Sequence, residues 1–207
     1  MQRTAMNRAV FLDRDGVINA ALYDPLEGKL DTPYRLEDFR LLPGASQAVR
    51  AINEMGFLAV VVSNQPGVAK GKCDHAFLEA VNAELTARLA RQRAHLDAIY
   101  YCLHHPDAVD ESLCVDCDCR KPKPGLLLRA AKELDIDLAR SYMIGDRQAD
   151  IEAGLAVGCK TVLLNGHLVP DARPEAARVR PHWIARDLPA AIEAIRGVEG
   201  GDGWTSS

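Results

Sequence analysis

The run Val10-Phe11-Leu12-Asp13-Arg14-Asp15-Gly16 puts two carboxylates at the end of an apolar stretch. Residues two apart in a strand share a face. The turn available at Gly16 lets Asp13 and Asp15 converge just beyond the strand's C-terminal end, the edge where open α/β sheets bind ligands. A carboxylate pair there suits a hard cation, and its members can divide the work of nucleophile and acid/base. Three further stations bring complementary groups. Ser63, in Ser63-Asn64-Gln65-Pro66-Gly67, places a hydroxyl after the apolar run 58–62. Lys121 lies in Arg120-Lys121-Pro122-Lys123-Pro124-Gly125, where the prolines keep the chain extended. Asp146, in Ile144-Gly145-Asp146-Arg147, adds a carboxylate, with Asp150 one helical turn further on. Each station alone reads more readily as a cap, a turn or a basic loop. Together, in one order and at successive strand ends, they supply carboxylates, a hydroxyl and an ammonium. That is the set phosphoryl transfer to an aspartate requires.

A second constellation is built from sulfur. Four of the six cysteines fall within 102–119. Met1–Arg8 lacks an apolar run long enough for a signal peptide, so a cytoplasmic location is expected. In that compartment a cysteine cluster means metal more often than disulfides. Cys102-Leu103-His104 is followed, after a gap of twelve residues, by Cys117-Asp118-Cys119. One imidazole and three thiolates make a closed tetrahedral Zn²⁺ site with a structural role. His105 and Cys114 lie near enough to compete, and Cys114-x-x-Cys117 is itself a zinc-like spacing.

Positioning these groups calls for alternating strands and helices. Strand candidates are 9–12, 58–62, 98–102, 141–144, 160–164 and a weaker 182–184, with helical stretches near 45–55, 74–93, 125–135, 148–156 and 187–197. This alternation predicts an α/β fold with a Rossmann-like, doubly wound parallel sheet covered on both faces. Near-continuous apolar strands such as Leu58-Ala59-Val60-Val61-Val62 fit a doubly buried sheet. Two long irregular segments, 20–44 and 104–123, interrupt the pattern, and long loops in compact domains tend to be functional. A single domain over 1–197 is expected, with a glycine-rich, disordered tail over 198–207. The net charge of -4 gives no reason to expect a nucleic-acid partner. No segment approaches the ~20 apolar residues of a membrane span. The expected partner is a small phosphorylated metabolite, met by a monomer.

From Phe11 to about Leu164 these motifs resemble the haloacid dehalogenase (HAD) superfamily of phosphatases. The resemblance implies a HAD-like fold and Mg²⁺-dependent hydrolysis through an aspartyl phosphate. Carried over residue by residue, Asp13 is nucleophile and Mg²⁺ ligand. Asp15 is the general acid/base, with its backbone carbonyl on the metal. Ser63 and Lys121 hold the phosphoryl group, Asp146 completes the Mg²⁺ site, and Asp150 orients metal-bound water or Lys121. The pattern C-x-H…C-x-C-R-K-P-K-P-G resembles the subgroup acting on heptose 1,7-bisphosphate and histidinol phosphate. It implies Cys102, His104, Cys117 and Cys119 as the zinc ligands, with Asn64, Gln65, Arg120 and Arg147 at the substrate. A sugar bisphosphate is the implied substrate, losing its 7-phosphate, with histidinol phosphate second. Neither long loop has room for a large cap domain. Residues 20–29 depart from the subgroup's pattern, leaving Tyr23, Asp24 and Lys29 as either substrate contacts or a solvated flap. A phospho-accepting receiver module shares the aspartate, hydroxyl and lysine, but it lacks a counterpart of Asp15.

Overall fold

The computed structural model describes residues 6–24, 28–165, 179–201 and 203. Its elements are β1 (Ala9–Leu12), β2 (Leu22–Asp24), β3 (Lys29–Asp31), α1 (Ala45–Glu54), β4 (Leu58–Asn64), α2 (His75–Ala90), β5 (Ala98–Cys102), α3 (Gly125–Glu133), β6 (Tyr142–Gly145), α4 (Gln148–Ala156), β7 (Lys160–Leu164), β8 (Trp183–Ala185) and α5 (Leu188–Gly200). Six strands form one sheet in the order β5-β4-β1-β6-β7-β8, and every pairing in it is parallel. The chain winds outward from β1 through β4 to β5, then returns to β6 on the other side of β1. The crevice at the end of β1 is therefore the topological switch point, where such sheets bind ligands.

Alternation along the strands sorts side chains into two cores. Val10, Leu12, Ala59, Val61 and Ile144 join residues of α1, α2 and α5, including Ile52, Leu85 and Ile192. Ala9, Phe11, Val60, Val62 and Met143 face α3 and α4 through Leu126, Leu127 and Ala153. With apolar groups buried on both faces, the strands are held rigid, and the residues that follow them inherit fixed positions.

The expected doubly wound architecture is present, with three differences of detail. β4 extends through Ser63 and Asn64, so the hydroxyl and the first amide belong to the strand itself. The segment 20–44 contains an antiparallel hairpin, β2–β3, pairing Leu22 with Asp31 and Tyr23 with Leu30. No cap domain occurs there among the described residues. α5 continues to Gly200, three residues beyond the expected boundary at 197, and closes on Gly201 at φ 94. Repeated small and apolar residues on its inner face (Ala191, Ile192, Ala194, Ile195) keep it docked. Residues 202 and 204–207 of the expected tail lie outside the described residues.

The α4–sheet contact depends on Gly154, where an added Cβ would meet Met143 Cβ at 2.7 Å and Thr161 Cγ2 at 2.8 Å. Gly154→Val should cost about 1–3 kcal/mol through overpacking, read as a lower urea midpoint at unchanged slope.

Candidate active site

Four strand ends meet as the sequence requires. β1, β4 and β6 are neighbours in the sheet, so Asp13, Ser63 and Asp146 fall side by side, and the Asp13 N–H donates to the Ile144 carbonyl at 3.0 Å. Lys121 arrives from the long loop after β5. Its Nζ lies 2.9 Å from Asp13 Oδ1 and 2.6 Å from Asp150 Oδ1, and it donates to the Val62 carbonyl at 2.7 Å. All three charged side chains are buried. Burial resists ionisation of Asp13, but the Lys121 ammonium and the Ser63 hydroxyl outweigh it and hold the carboxyl below its ordinary range. Burial likewise opposes the charge on Lys121, and Asp13 and Asp150 reverse that, raising its pKa.

At Asp146 the nearby cations, Arg147 and Lys121, compensate only in part. Burial, followed by the charges of Asp13 and Asp150, pushes it up to about 8. Its Oδ1 is buried without a hydrogen-bond partner. Ligand oxygens of Asp13, Asp146 and Asp150 all lie within 4.8 Å of one another. Three carboxylates against one ammonium, with one oxygen unsatisfied, fit a hard cation with oxygen ligands. Two glycines make room for this grouping. A Cβ on Gly16 would stand 2.3 Å from Asp146 Oδ2, and its φ of +86 also disfavours a side chain. A Cβ on Gly145 would stand 2.2 Å from the Asp150 Cβ.

Asp15 lines the same cleft as Asp13, but its carboxylate is occupied by protein donors. Oδ1 accepts from Asn19 Nδ2 at 2.8 Å, Thr32 Oγ1 at 3.0 Å and Arg14 at 3.2 Å. Oδ2 accepts from Gln65 Nε2 at 2.5 Å and Arg14 at 3.1 Å. Arg14 is fully buried, and its guanidinium also donates to the Tyr101 hydroxyl at 3.2 Å. Sequence reasoning missed this support. Arg14, lying between the two aspartates, was the one readable signal, whereas nothing local marks Asn19 or Thr32.

The residues expected at the substrate divide into two groups. Asn64 and Gln65 spend their amides on the protein. Asn64 donates to the Lys121 carbonyl at 2.9 Å and accepts from its N–H at 3.0 Å, pinning the lysine's backbone. Gln65 Nε2 binds Asp15 and, at 3.1 Å, Ser63 Oγ. Arg120 and Arg147 line the cleft, as does Asn64. Arg120 donates to the His104 carbonyl at 3.2 Å, and Arg147 NH2 to the Leu30 carbonyl at 3.3 Å. Asp150 both pairs with Lys121 and accepts from the Arg147 N–H at 3.1 Å. Tyr23 is exposed on the hairpin. The side chains of Asp24 and Lys29 lie outside the described residues.

The sulfur constellation also closes. Cys102, His104, Cys117 and Cys119 form one potential metal-binding group. Cys102 Sγ is 3.6 Å from Cys117 Sγ and 3.7 Å from His104 Nδ1, which is 3.2 Å from Cys119 Sγ. A tetrahedral site of three sulfurs and one nitrogen has edges of about 3.8 Å and 3.5 Å at ordinary metal–ligand lengths, so a metal ion fits. Burial raises the Cys102 thiol. At Cys117 burial pushes upward too, but hydrogen bonds, led by Cys119, pull it down to about 7. The two competing candidates fall outside the group. Cys114 Sγ donates to the Pro106 carbonyl at 3.1 Å, and His105 Nδ1 accepts from the Asp107 N–H at 3.0 Å.

A parallel sheet whose switch point gathers an aspartate pair, a buried lysine and a third carboxylate defines a HAD-type phosphoryl-transfer centre. A family profile described as HAD-hydrolase-like matches residues 118–191. The D-glycero-beta-D-manno-heptose-1,7-bisphosphate 7-phosphatase of Photorhabdus laumondii is 39% identical over 192 residues, covering 91% of this chain and 96% of its own. Its counterpart in Escherichia coli K12 is 40% identical over 192 residues, covering 89% and 93%. Among solved structures, the D,D-heptose 1,7-bisphosphate phosphatase of B. bronchiseptica, complexed with magnesium and phosphate, has a TM-score of 0.71 and 30% identity, covering 92% of this chain and 99% of that one. A HAD-like phosphatase from Mesorhizobium loti has a TM-score of 0.74 and 32% identity, covering 92% and 88%. The chain belongs to the family of HAD-superfamily phosphatases that contains these heptose bisphosphate phosphatases.

With Asp146 at about 8, cation binding near neutral pH must displace its proton. The raised value lies above the ~3.9 of an unfolded aspartate. The cation-free protein therefore loses stability as pH rises from about 4 to about 8, and bound cation restores it. Apparent Mg²⁺ affinity should climb from pH 6 to 8 and then level off. Titration calorimetry in buffers of differing ionisation heat should register a proton released at pH 7.

Proposed function

We propose that this chain removes the 7-phosphate of D-glycero-D-manno-heptose 1,7-bisphosphate as a Mg²⁺-dependent phosphomonoesterase, through an aspartyl phosphate on Asp13. The observation that carries the reading is the Lys121 ammonium held between Asp13 and Asp150, with an unsatisfied Asp146 oxygen beside them. The names of relatives at 39% and 40% identity support the substrate.

Asp13, kept ionised by Lys121 and Ser63, attacks the phosphorus. The Ser63 hydroxyl and the Lys121 ammonium take the phosphoryl oxygens, where charge accumulates. Asp15 gives its proton to the departing sugar oxygen, then takes one from the water that cleaves the aspartyl phosphate. Asp13, Asp146 and the Asp15 backbone carbonyl would hold Mg²⁺, which would supply Lewis-acid neutralisation of phosphoryl charge. Arg120 and Arg147 flank the cleft with cationic groups suited to a second phosphate. A cavity of about 450 Å³ shares Arg120 and Lys121 with the cleft and adds Val115 and Pro122, giving room for the sugar. Lys123 borders it, paired with Asp116.

We assign Zn²⁺ to Cys102, His104, Cys117 and Cys119 as a structural ion. Three thiolates and an imidazole are soft to borderline ligands that suit it, and four protein ligands leave no open position. Arg120 and Lys121 directly follow Cys119, so the ion fixes their approach. Reduced thiols suit a cytoplasmic enzyme. No helix among the described residues is long and apolar enough to cross a membrane. A monomer acting on a small metabolite, without nucleic acid or membrane, completes the proposal.

Phosphate release over heptose bisphosphates, histidinol phosphate, hexose phosphates and nucleotides should rank heptose 1,7-bisphosphate first by kcat/KM. A faster rate with histidinol phosphate would reassign the substrate. Asp13→Asn should lower turnover by at least about 10³-fold in a folded protein, and appreciable activity would remove the nucleophile. Cys117→Ser should lose zinc by elemental analysis together with thermal stability.

A further inference from the structure

The partners of the Asp15 carboxylate differ in what they can do. The Arg14 guanidinium and the amide nitrogens of Asn19 and Gln65 only donate. The Gln65 amide is fixed in that sense, because its Oε1 takes Arg14 NH2 at 3.0 Å. A cradle of fixed donors suits the carboxylate, the form that receives a proton from water. It offers no acceptor to the O–H of the carboxylic acid, the form that must give a proton to the leaving oxygen. A hydroxyl can serve both forms, having one proton to give and two lone pairs. Thr32 is that partner, at 3.0 Å from Asp15 Oδ1. One lone pair receives Arg14 NH2 at 2.6 Å, leaving the other lone pair and the proton for Asp15.

Thr32 directly follows the β2–β3 hairpin and is held firmly. Asp31 Oδ1 accepts from the Thr32 N–H at 2.9 Å and from the Tyr34 hydroxyl at 3.0 Å. Asp31 Oδ2 accepts from Lys72 Nζ at 2.9 Å. On the preceding residue, the Leu30 carbonyl receives Arg147 from the cleft.

We propose, on the strength of the Asp13–Asp15 assignment above, that Thr32 is the positioning residue of the acid/base Asp15. Its hydroxyl donates to the carboxylate and accepts from the carboxylic acid until a leaving oxygen takes that proton, so one partner holds the Asp15 side chain in place through both halves of the reaction. In the first half the bond from Asp13 to phosphorus forms and the bond from phosphorus to the sugar oxygen breaks. The Asp15 proton passes to that oxygen, and Thr32 donates to the new carboxylate. In the second half the water oxygen bonds to phosphorus and the Asp13–phosphorus bond breaks. The water proton moves to Asp15, and Thr32 turns to accept from it. The hairpin at the rim of the cleft thereby sets the placement of a group it does not itself carry.

The test compares Thr32→Val, which removes the hydroxyl at nearly constant shape, with Thr32→Ser, which keeps it. Single-turnover cleavage, with enzyme in excess, is read on a sugar phosphate that the wild type hydrolyses. It is read also on p-nitrophenyl phosphate, whose leaving group needs no proton. Thr32→Val should slow the sugar ester by about tenfold or more and p-nitrophenyl phosphate far less, with the loss in rate rather than in KM. Thr32→Ser should recover the sugar-ester rate to within about threefold. Equal losses on both esters, no loss at all, or a serine variant as slow as the valine one would overturn the proposal. Asp13→Asn, run alongside, should cleave neither ester. If it cleaves either, the underlying phosphatase reading falls, which a Thr32 failure alone would leave standing.

Discussion

A single buried ammonium organises this molecule's chemistry. Lys121 lies 2% exposed between two carboxylates and a backbone carbonyl. Taking such charges out of water costs several kcal/mol per ion, and deleting one partner of a buried pair leaves a penalty of about 3–5 kcal/mol. The arrangement persists because every group is placed by something rigid. Asp13 follows a strand buried on both faces, and Asp150 sits in the first turn of α4. Asn64, at the end of β4, fixes the Lys121 backbone with two reciprocal hydrogen bonds. The lysine therefore acts as a fixed positive charge rather than a flexible one. Electrostatic preorganisation of this kind is worth most where water is excluded.

The charge count around that lysine remains uneven, and the imbalance is informative. Asp146 adds a carboxylate that Arg147 and Lys121 offset only in part, and both its raised pKa and its orphaned oxygen express the deficit. Arg14 is fully buried, with Asp15, Thr32, Gln65 and Tyr101 around its guanidinium. Two neighbouring aspartates thus occupy opposed surroundings. One is paired with a lysine beside a cation-seeking group, and the other rests in a cradle of hydrogen-bond donors. Unlike surroundings are what let two identical side chains take different tasks.

The long loop after β5 has little core of its own, and the Cys/His group supplies one. Cys102 ends β5, while Cys119 directly precedes Arg120 and Lys121. A metal ion held there would tie the sheet to the segment carrying the site's central charge. Lys121 reaches Asp13 across 108 residues of sequence, a closure that a loop without such a clasp would have to hold by its own packing.

The sequence by itself determined the sheet, the strand ends and the residue types gathered there. The reason is that apolar periodicity and the Asp, Ser, Lys and Asp stations are local patterns. The likeness of C-x-H…C-x-C to a known subgroup chose its four ligands, and the structure brings those four together. Tertiary structure alone decided what cannot be read from neighbours in the chain. It set the Asn64 and Gln65 amides against Lys121 and Asp15, since an amide serves whichever partner lies nearest in space. It buried Arg14, folded residues 22–31 into a hairpin, and brought Thr32 against Asp15 across 17 positions. It also carried α5 to Gly200, past a glycine-rich boundary, where Glu199 accepts from the Tyr142 hydroxyl and pairs with Arg8. Spacing specifies which groups can meet, and the packing of strands and loops specifies which of them face one another.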